Sequence, residues 1–380
     1  MLPENVKFIL SELNKKGFSA YAVGGCVRDR LLGVEPDDWD ITTSALPNEI
    51  QDIFSNFKLN LKGLKHGTVG IIRNGTMIEV TTFRIDGGYT DSRRPDSVTF
   101  TPSLKEDLAR RDFTVNAMAM DINENIIDEF SGKCDLENKI IRTVGDAKKR
   151  FSEDALRIMR GLRFASKGGF SLEENTLFCC NKLAYTLKNI AYERIYTELK
   201  KMLSYKNAPN IMVKTLPVFK AIFPTLKEEN WEDVCSKIKK TDFWEIRLAI
   251  ILQNSSTEEE LLRLKTETKI KQKILFIKNA PKITNDRACL QKLMCNDGKE
   301  KVLFLCEYLT AITDTDFSVN AKKASMGITS VKELNVNGDD LKAIGYKNYK
   351  IKEALNFALE SVIEEKVKNK KTELLKYLKK

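Results

Sequence analysis

Histidine is nearly missing from this sequence: His66 is the one example in 380 residues. That removes histidine triads and multi-histidine metal sites from consideration. Eight cysteines, at positions 26, 134, 179, 180, 235, 289, 295 and 306, include no Cys-x-x-Cys pair, which argues against a zinc ribbon. A chain this long needs no disulfide framework, and it starts without a signal peptide, so reduced, buried cysteines in a cytoplasmic protein are expected. No apolar run approaches the roughly 20 residues that span a bilayer, and no membrane partner is expected.

Glycine and proline are scarce in one half of the chain. Fifteen of the 19 glycines fall in residues 1–170 and four in 171–380; no proline falls between 103 and 208 or after Pro281. A turn-rich first part followed by a long helical part is expected. Neither an internal repeat nor a low-complexity linker interrupts it.

What is present is charge and pattern. Lys plus Arg is 63 and Asp plus Glu is 53, a net charge of +10. The excess suits a polyanionic partner, and a lysine-rich solubilising surface gives the same sum. Val6, Ile9, Leu10 and Leu13 form a helical stripe that stops at Gly17. A strand over 20–23 runs into Gly24-Gly25, a short helix starts near Val27, and a second strand covers 39–43. Asn74-Gly75 between 68–72 and 77–83 marks a hairpin. From about Glu153 onward the apolar spacing is mostly three and four, as in Leu156, Met159 and Phe164, then Ile195, Leu199 and Leu203. The last 20 residues carry seven lysines against three acids, with Leu374, Leu375 and Leu378 along one face. That is an amphipathic helix whose charged side is either simply solvated or meets RNA.

Asp38 and Asp40, two apart on a strand, point the same way. Two close carboxylates repel unless a cation sits between them, and hard oxygen ligands suit Mg²⁺ when substrate phosphates complete its shell. A solvated strand end carries the same pattern. About a dozen residues upstream, Gly24-Gly25-Cys26-Val27-Arg28-Asp29 lies between strand and helix. Glycines let backbone approach a phosphate, a helix start offers free N–H groups, and Arg28 adds a charged donor. Strand, glycine turn, helix and paired acids together describe a triphosphate beside a metal pair, the arrangement of two-metal phosphoryl transfer. Glu79, mid-strand between apolar residues, is either edge-exposed or a third acid of that site.

On these residues the sequence resembles the DNA polymerase β-type nucleotidyltransferases. Within them it is similar to the class II tRNA nucleotidyltransferases, the CCA-adding enzymes, of the short bacterial type. The likeness runs through GGCVRD at 24–29, DDWDITTSA at 37–45, KHGTVGI at 65–71 and EVTTFR at 79–84. It continues in RRDFTVNAM at 110–118, EDALRIMRGLRFA at 153–165 and ERIYTELKKML at 193–203.

The resemblance implies roles residue by residue. Asp38 and Asp40 match the family's metal-binding pair, with Glu79 as a third catalytic acid; Gly25 and Arg28 match its phosphate contacts. Arg111 falls in the motif that meets the nucleotide's sugar and phosphates, and Asp112 becomes a partner for the ribose 2′-OH. From spacing alone, Arg110-Arg111-Asp112 also reads as a surface ion-pair cluster. Asp154, Arg157, Arg160 and Arg163 follow one another at i, i+3 on a helix, which also describes ordinary pairing on an exposed face. In the family Asp154 and Arg157 read the base. Cytosine and adenine both present a ring acceptor beside an amino donor, whereas uracil and guanine present a ring N–H beside a carbonyl. A carboxylate with an arginine therefore selects C and A and rejects U and G. Arg160 and Arg163 match further nucleotide contacts, and Glu153 is expected to hold Arg157.

Residues 84–95 read as a mobile surface loop of the kind that accompanies terminal A addition. Asp128-Glu129-Phe130-Ser131-Gly132 departs from the Asp-Pro-Phe-Gly-Gly form of relatives, which is expected to alter a turn and not the chemistry. Glu193-Arg194 is expected to support the helices, and His66 to be structural. The implied fold is an α/β head, a mixed β-sheet nucleotidyltransferase domain, followed by an all-α neck, body and tail. The expected boundaries are 1–140, 141–205, 206–320 and 321–380, the tail binding tRNA. The implied reaction adds C, C and A to the tRNA 3′ end from CTP and ATP with Mg²⁺, releasing pyrophosphate, in an enzyme that leans to a homodimer. A poly(A) polymerase or A-only enzyme is the nearer alternative, and a non-catalytic RNA-binding protein on this scaffold the other.

Overall fold

A computed structural model describes residues 1–88, 97–227 and 229–379. The chain forms two compact units, Met1–Glu228 and Glu229–Lys380.

The first unit opens with α1 (Glu4–Lys15), β1 (Ala20–Val23), α2 (Gly25–Leu31), β2 (Asp40–Thr43) and α3 (Pro47–Ile53). β3 (Lys58–Asn60), β4 (Thr68–Arg73), β5 (Thr76–Thr82), β6 (Arg84–Asp86) and β7 (Val98–Phe100) follow. Then come α4 (Leu104–Ala109), β8 (Met118–Met120), β9 (Ile126–Asp128) and α5 (Gly132–Glu137). Seven strands join one mixed sheet in the order β3-β4-β5-β2-β1-β8-β9, while β6 and β7 pair separately. The expected 84–95 loop falls largely on residues 89–96, outside the described residues.

The two faces of this sheet differ because strand side chains alternate. Ile41 and Val80, register partners on the parallel pair β2–β5, are buried on the face that α1 and α3 pack against. The α1 stripe read from the sequence, Val6, Ile9, Leu10 and Leu13, is fully buried there, each aliphatic contributing roughly 1.5–3 kcal/mol. Thr42 and Thr81 face the other way, where Thr42 Oγ1 donates to Asp107 of α4 at 3.1 Å. Asp40 and Glu79, two residues earlier on each strand, share that face beyond the cover of α4, and both are exposed.

Two expectations need correction here. The second strand begins at Asp40, so Asp38 precedes it and is not on it. On the β1 side the ladder can go no further: Ala22 pairs with Ile41, and Gly24, at φ +86, turns the chain away. The cysteines are free, but Cys134 is exposed and Cys289 and Cys295 are only partly covered.

The unusual 128–132 turn is held by the Asp128 carboxylate, which accepts from the backbone N–H of Gly132 and Lys133 at 2.8 Å each. Ser131 takes the left-handed conformation, φ +60, a region that favours glycine. Gly132 is sterically fixed, since a Cβ there would meet the Thr114 carbonyl oxygen at 2.2 Å.

Beyond the sheet run α6 (Ala147–Glu153), α7 (Leu156–Ser166), α8 (Glu174–Lys182) and α9 (Tyr192–Leu203). A two-residue parallel ladder, Ile140–Ile141 with Ser171–Leu172, brackets α6 and α7. The second unit contains helices and no strand among its described residues. One of its cores gathers Leu290, Met294, Val302, Cys306 and Phe317; another gathers Leu334, Leu341, Ala358, Leu374 and Leu378. The final stripe therefore packs inward, and the lysines of the Lys371–Leu378 helix face outward. Among the described residues no helix is long and apolar enough to cross a membrane.

Candidate active site

The site is assembled where β1 ends. Gly24 stands at φ +86, ψ −132, a conformation essentially reserved for glycine, and α2 starts directly after it. A Cβ added at Gly24 would lie 3.0 Å from Arg111 Nη1, so the guanidinium rests against the bare turn. Arg28, buried on α2, donates to Asn116 Oδ1 at 2.6 Å and to Asp29 Oδ1 through Nε and Nη2 at 2.9 and 2.8 Å.

Asp40 and Glu79 are register partners on adjacent parallel strands. Although Asp40 keeps an exposed surface, crowding by protein around its carboxyl, reinforced by the charges of Asp38 and Glu79, pushes its pKa up to about 6 against the pull of Arg111. Such concentrated negative charge is what a cation relieves. Among the described residues no three His, Cys, Asp or Glu side chains close a metal cage. The acids instead form an open platform, which fits an ion that takes its remaining ligands from substrate phosphates.

Three consecutive residues tie this platform to α7. Arg110 gives its carbonyl to Arg157 Nη2 at 3.1 Å. Arg111 lies against Gly24 and within the field of Asp40, and also reaches Asp107 at 3.4 Å. Asp112 Oδ2 accepts from Arg160 Nε at 2.7 Å and Nη2 at 2.6 Å, while its Oδ1 accepts from Asn116 Nδ2 at 3.1 Å and Phe113 N at 2.9 Å. Burial alone would raise Asp112, but Arg160, Asn116 and Arg157 hold it down to about 2. Its oxygens are thus occupied by protein donors. Arg28, Asn116, Asp112 and Arg160 form one hydrogen-bonded chain from α2 to α7.

The expected single helix through 153–163 is broken. α6 ends at Glu153, and Asp154 adopts extended backbone, φ −140 and ψ 104. Its Oδ1 accepts from Leu156 N at 3.0 Å, the local competition by which aspartate interrupts helices. Asp154 is thus not one step of the arginine row. Its Oδ2 meets Arg194 Nη2 at 3.4 Å, and burial raises its carboxyl pKa. Arg157 Nη1 donates to Glu153 Oε2 at 2.6 Å and to the Arg150 carbonyl at 3.1 Å. Glu153 Oε1 takes Arg150 at 2.6 Å, so two arginines clamp one carboxylate. Arg163 leaves the row to pair with Glu198 of α9. Of the Glu193-Arg194 pair expected to support the helices, Arg194 is the residue that pairs with Asp154.

Sequence reasoning missed Asp107, Asn116 and Phe164. Asp107 is fully buried and joins Thr42, Arg110, Arg111 and the Arg84 backbone N–H. Phe164 lies under three guanidinium carbons, of Arg163 at 4.1 Å, Arg28 at 5.1 Å and Arg160 at 5.4 Å from its centroid. The signal for Phe164 was in the sequence, since it closes a row of arginines at helical spacing. Asp107 offered none beyond an acid in the first turn of a short helix.

A mixed sheet with a glycine turn, paired acids on adjoining strands and an arginine-bearing helix defines a nucleotidyltransferase. The Poly A polymerase head domain family matches residues 20–142, the probable RNA and SrmB-binding site of polymerase A matches 169–229, and tRNA nucleotidyltransferase domain 2 matches 238–378. The CCA-adding enzyme of Staphylococcus haemolyticus is 37% identical, over 98% of this chain and 96% of its own. That of Geobacillus thermodenitrificans is 53% identical over 52% of this chain and 48% of its own. The crystal structure of the Bacillus stearothermophilus CCA-adding enzyme in complex with CTP superposes with a TM-score of 0.75 at 33% identity. It covers 100% of this chain and 97% of that one. The chain belongs to the CCA-adding enzyme family. Membership brings nucleotidyl transfer and dependence on a divalent metal ion.

Proposed function

We infer that this chain adds C, C and A in turn to the 3′ end of tRNA. The tRNA 3′-hydroxyl attacks the α-phosphate of CTP twice and then of ATP; each time the bond to the pyrophosphate leaving group breaks. The observation that carries this reading at the site is the pairing of Asp40 with Glu79 beside Asp38, in front of the Gly24-Gly25 turn.

Asp38 and Asp40 hold the divalent ion, for which Mg²⁺ is the candidate, with Glu79 setting the charge beside them. When bound, Mg²⁺ supplies activation of the hydroxyl and neutralisation of the departing pyrophosphate. Gly25 and Arg28 meet the phosphates through backbone approach and charge, and Arg111 lies between phosphates and carboxylates. Asp112 positions Arg160 and Asn116; a ribose hydroxyl reaches it only by displacing one of those donors. Asp154 Oδ2 keeps accepting capacity beside Arg194, and Arg157 keeps Nε and one Nη2 hydrogen without a partner among the described residues. The two present an acceptor and a donor, the complement of C and A. Arg163 stiffens α7 through Glu198. Catalysis then rests on positioning and charge stabilisation.

Residues 1–140 form the catalytic head, 141–205 the neck that reads the base, 206–320 the body and 321–380 the tail that meets tRNA, in a cytoplasmic enzyme. The test is tRNA lacking CCA, incubated first with CTP and then with CTP and ATP. Extension by two nucleotides and then by a third is expected. No extension with CTP alone overturns the reading in favour of an A-only enzyme or a poly(A) polymerase.

A further inference from the structure

A second surface of the first unit lies outside the nucleotide site. From the start of α8 at Glu174 to residue 227 the sequence holds eight lysines and one arginine against three acids, Glu174, Glu193 and Glu198. Glu198 is buried on Arg163 and shows solvent almost no charge. On this stretch a groove of about 430 Å³ opens between the end of α8 and the helix Leu216–Ile222, lined by Asn181, Lys182, Tyr185, Leu216, Pro217 and Lys220. Two aromatics stand out into solvent beside it, Tyr185 at 61% and Phe178 at 59% exposed. Lys182 Nζ sits 5.4 Å from the Phe178 ring centroid. Asn181 donates through Nδ2 to the Lys214 carbonyl at 2.9 Å, which leaves its buried Oδ1 without a hydrogen-bond partner.

Two solvent-facing aromatics beside a groove offer a surface that a macromolecular partner can cover, and the charge decides which kind. A face on which lysines outnumber acids suits a phosphate backbone and disfavours a basic protein surface. Aromatic faces stack on any unpaired base, which suits a partner held without reading its sequence. An orphaned acceptor fits what RNA offers there, a 2′-hydroxyl or an exocyclic amine.

We propose that this groove takes one unpaired nucleotide of the tRNA. Its base stacks on Tyr185, Asn181 Oδ1 accepts from its ribose hydroxyl or amino group, and Lys182 and Lys220 meet the flanking phosphates. The proposal rests on tRNA being the substrate and adds where, and by what contact, the RNA is held away from the reacting end.

Full-length protein is tested with tRNA lacking CCA, measuring tRNA affinity across a salt series and steady-state CTP incorporation. Tyr185→Ala is expected to raise the tRNA Kd and KM by roughly 5- to 100-fold, with kcat at saturating tRNA and the KM for CTP unchanged. Tyr185→Phe and Tyr185→Trp, which keep a stacking face, should restore binding. The double variant Lys182→Gln, Lys220→Gln should flatten the salt dependence by about 1.5 units of slope, near 0.7–0.9 per lost phosphate contact. Unchanged tRNA affinity and slope in these exposed-surface variants overturn the proposal and leave the face to a protein partner. A wild-type enzyme that extends no tRNA with CTP fails the activity reading instead, and the two failures are told apart by that control.

Discussion

Arg157 donates to Glu153 at 2.6 Å across the break at Asp154, and Glu153 is held from its other side by Arg150 at 2.6 Å. The proposed base-reading guanidinium is therefore oriented before any nucleotide arrives. Glu153→Ala removes the clamp and leaves both arginines to find other partners. We expect kcat/KM for CTP to fall about 10- to 100-fold, with misincorporation of U and G rising, because rejection depends on a fixed geometry. Single-nucleotide incorporation with each of the four nucleotides checks this. Fidelity equal to wild type would separate Arg157 from base choice.

Asp40 gives the pH prediction. Its folded pKa, about 6, lies above its ordinary 3.8, so the folded state binds the proton more tightly than the unfolded chain does. The stabilisation this provides is complete below about pH 4 and is lost as pH rises to 6. In metal-free protein Asp40→Asn should gain in Tm relative to wild type across that window and hold the gain above it. Divalent-ion affinity of the wild type should weaken below pH 6, where proton and metal compete. Incorporation by Asp40→Asn should drop on the order of 10³-fold. Thermal melts in chelator from pH 4 to 8 and parallel metal titrations read the first two, and a CTP incorporation assay reads the third.

Asp112 titrates in the opposite sense. Its folded pKa, about 2, lies below 3.8, so its contribution is present above about pH 4 and is lost as pH falls to 2. The interval corresponds to about 2 kcal/mol. Asp112→Asn should flatten the acid limb of the stability curve and lower Tm at pH 7, since an amide has one acceptor oxygen and cannot serve both Arg160 and the Asn116 and Phe113 N–H donors. An acid limb identical to wild type would mean that Asp112 keeps an ordinary pKa.

Local signals placed β1, the Asn74-Gly75 hairpin and the α1 stripe to within a residue or two, because turn chemistry and periodicity depend only on neighbours in sequence. The Asp40–Glu79 pairing needed two parallel strands 39 residues apart to fall into register, which no local rule supplies. Asp107 was invisible for the same reason: its burial arises only when α4 covers Thr42. The break at Asp154 was readable in hindsight from an aspartate that caps the next helix, but the strong three-residue arginine spacing outweighed it. The 110–112 triplet read as an ion-pair cluster or as sugar and phosphate contacts. Its joining of sheet and helix appears only once α7 is docked.

Gly24 and Gly25 look alike in sequence and have different physical reasons for being glycine. At Gly24 the backbone stands at φ +86 and an added Cβ would meet Arg111 at 3.0 Å, so Gly24→Ala carries both strain and a displaced guanidinium. We expect a loss of about 1–3 kcal/mol in stability together with weakened nucleotide binding. At Gly25 the backbone is helical and an added Cβ would stand 3.6 Å from Arg28 Nη2, an ordinary contact. Gly25→Ala should keep the Tm, since alanine suits a helix better than glycine. If a triphosphate approaches this turn, the added methyl should still raise the KM for CTP, by roughly tenfold. Thermal melts and CTP kinetics on both variants separate fold from function at adjacent positions. A Gly25→Ala enzyme with unaltered CTP kinetics would place the phosphates elsewhere.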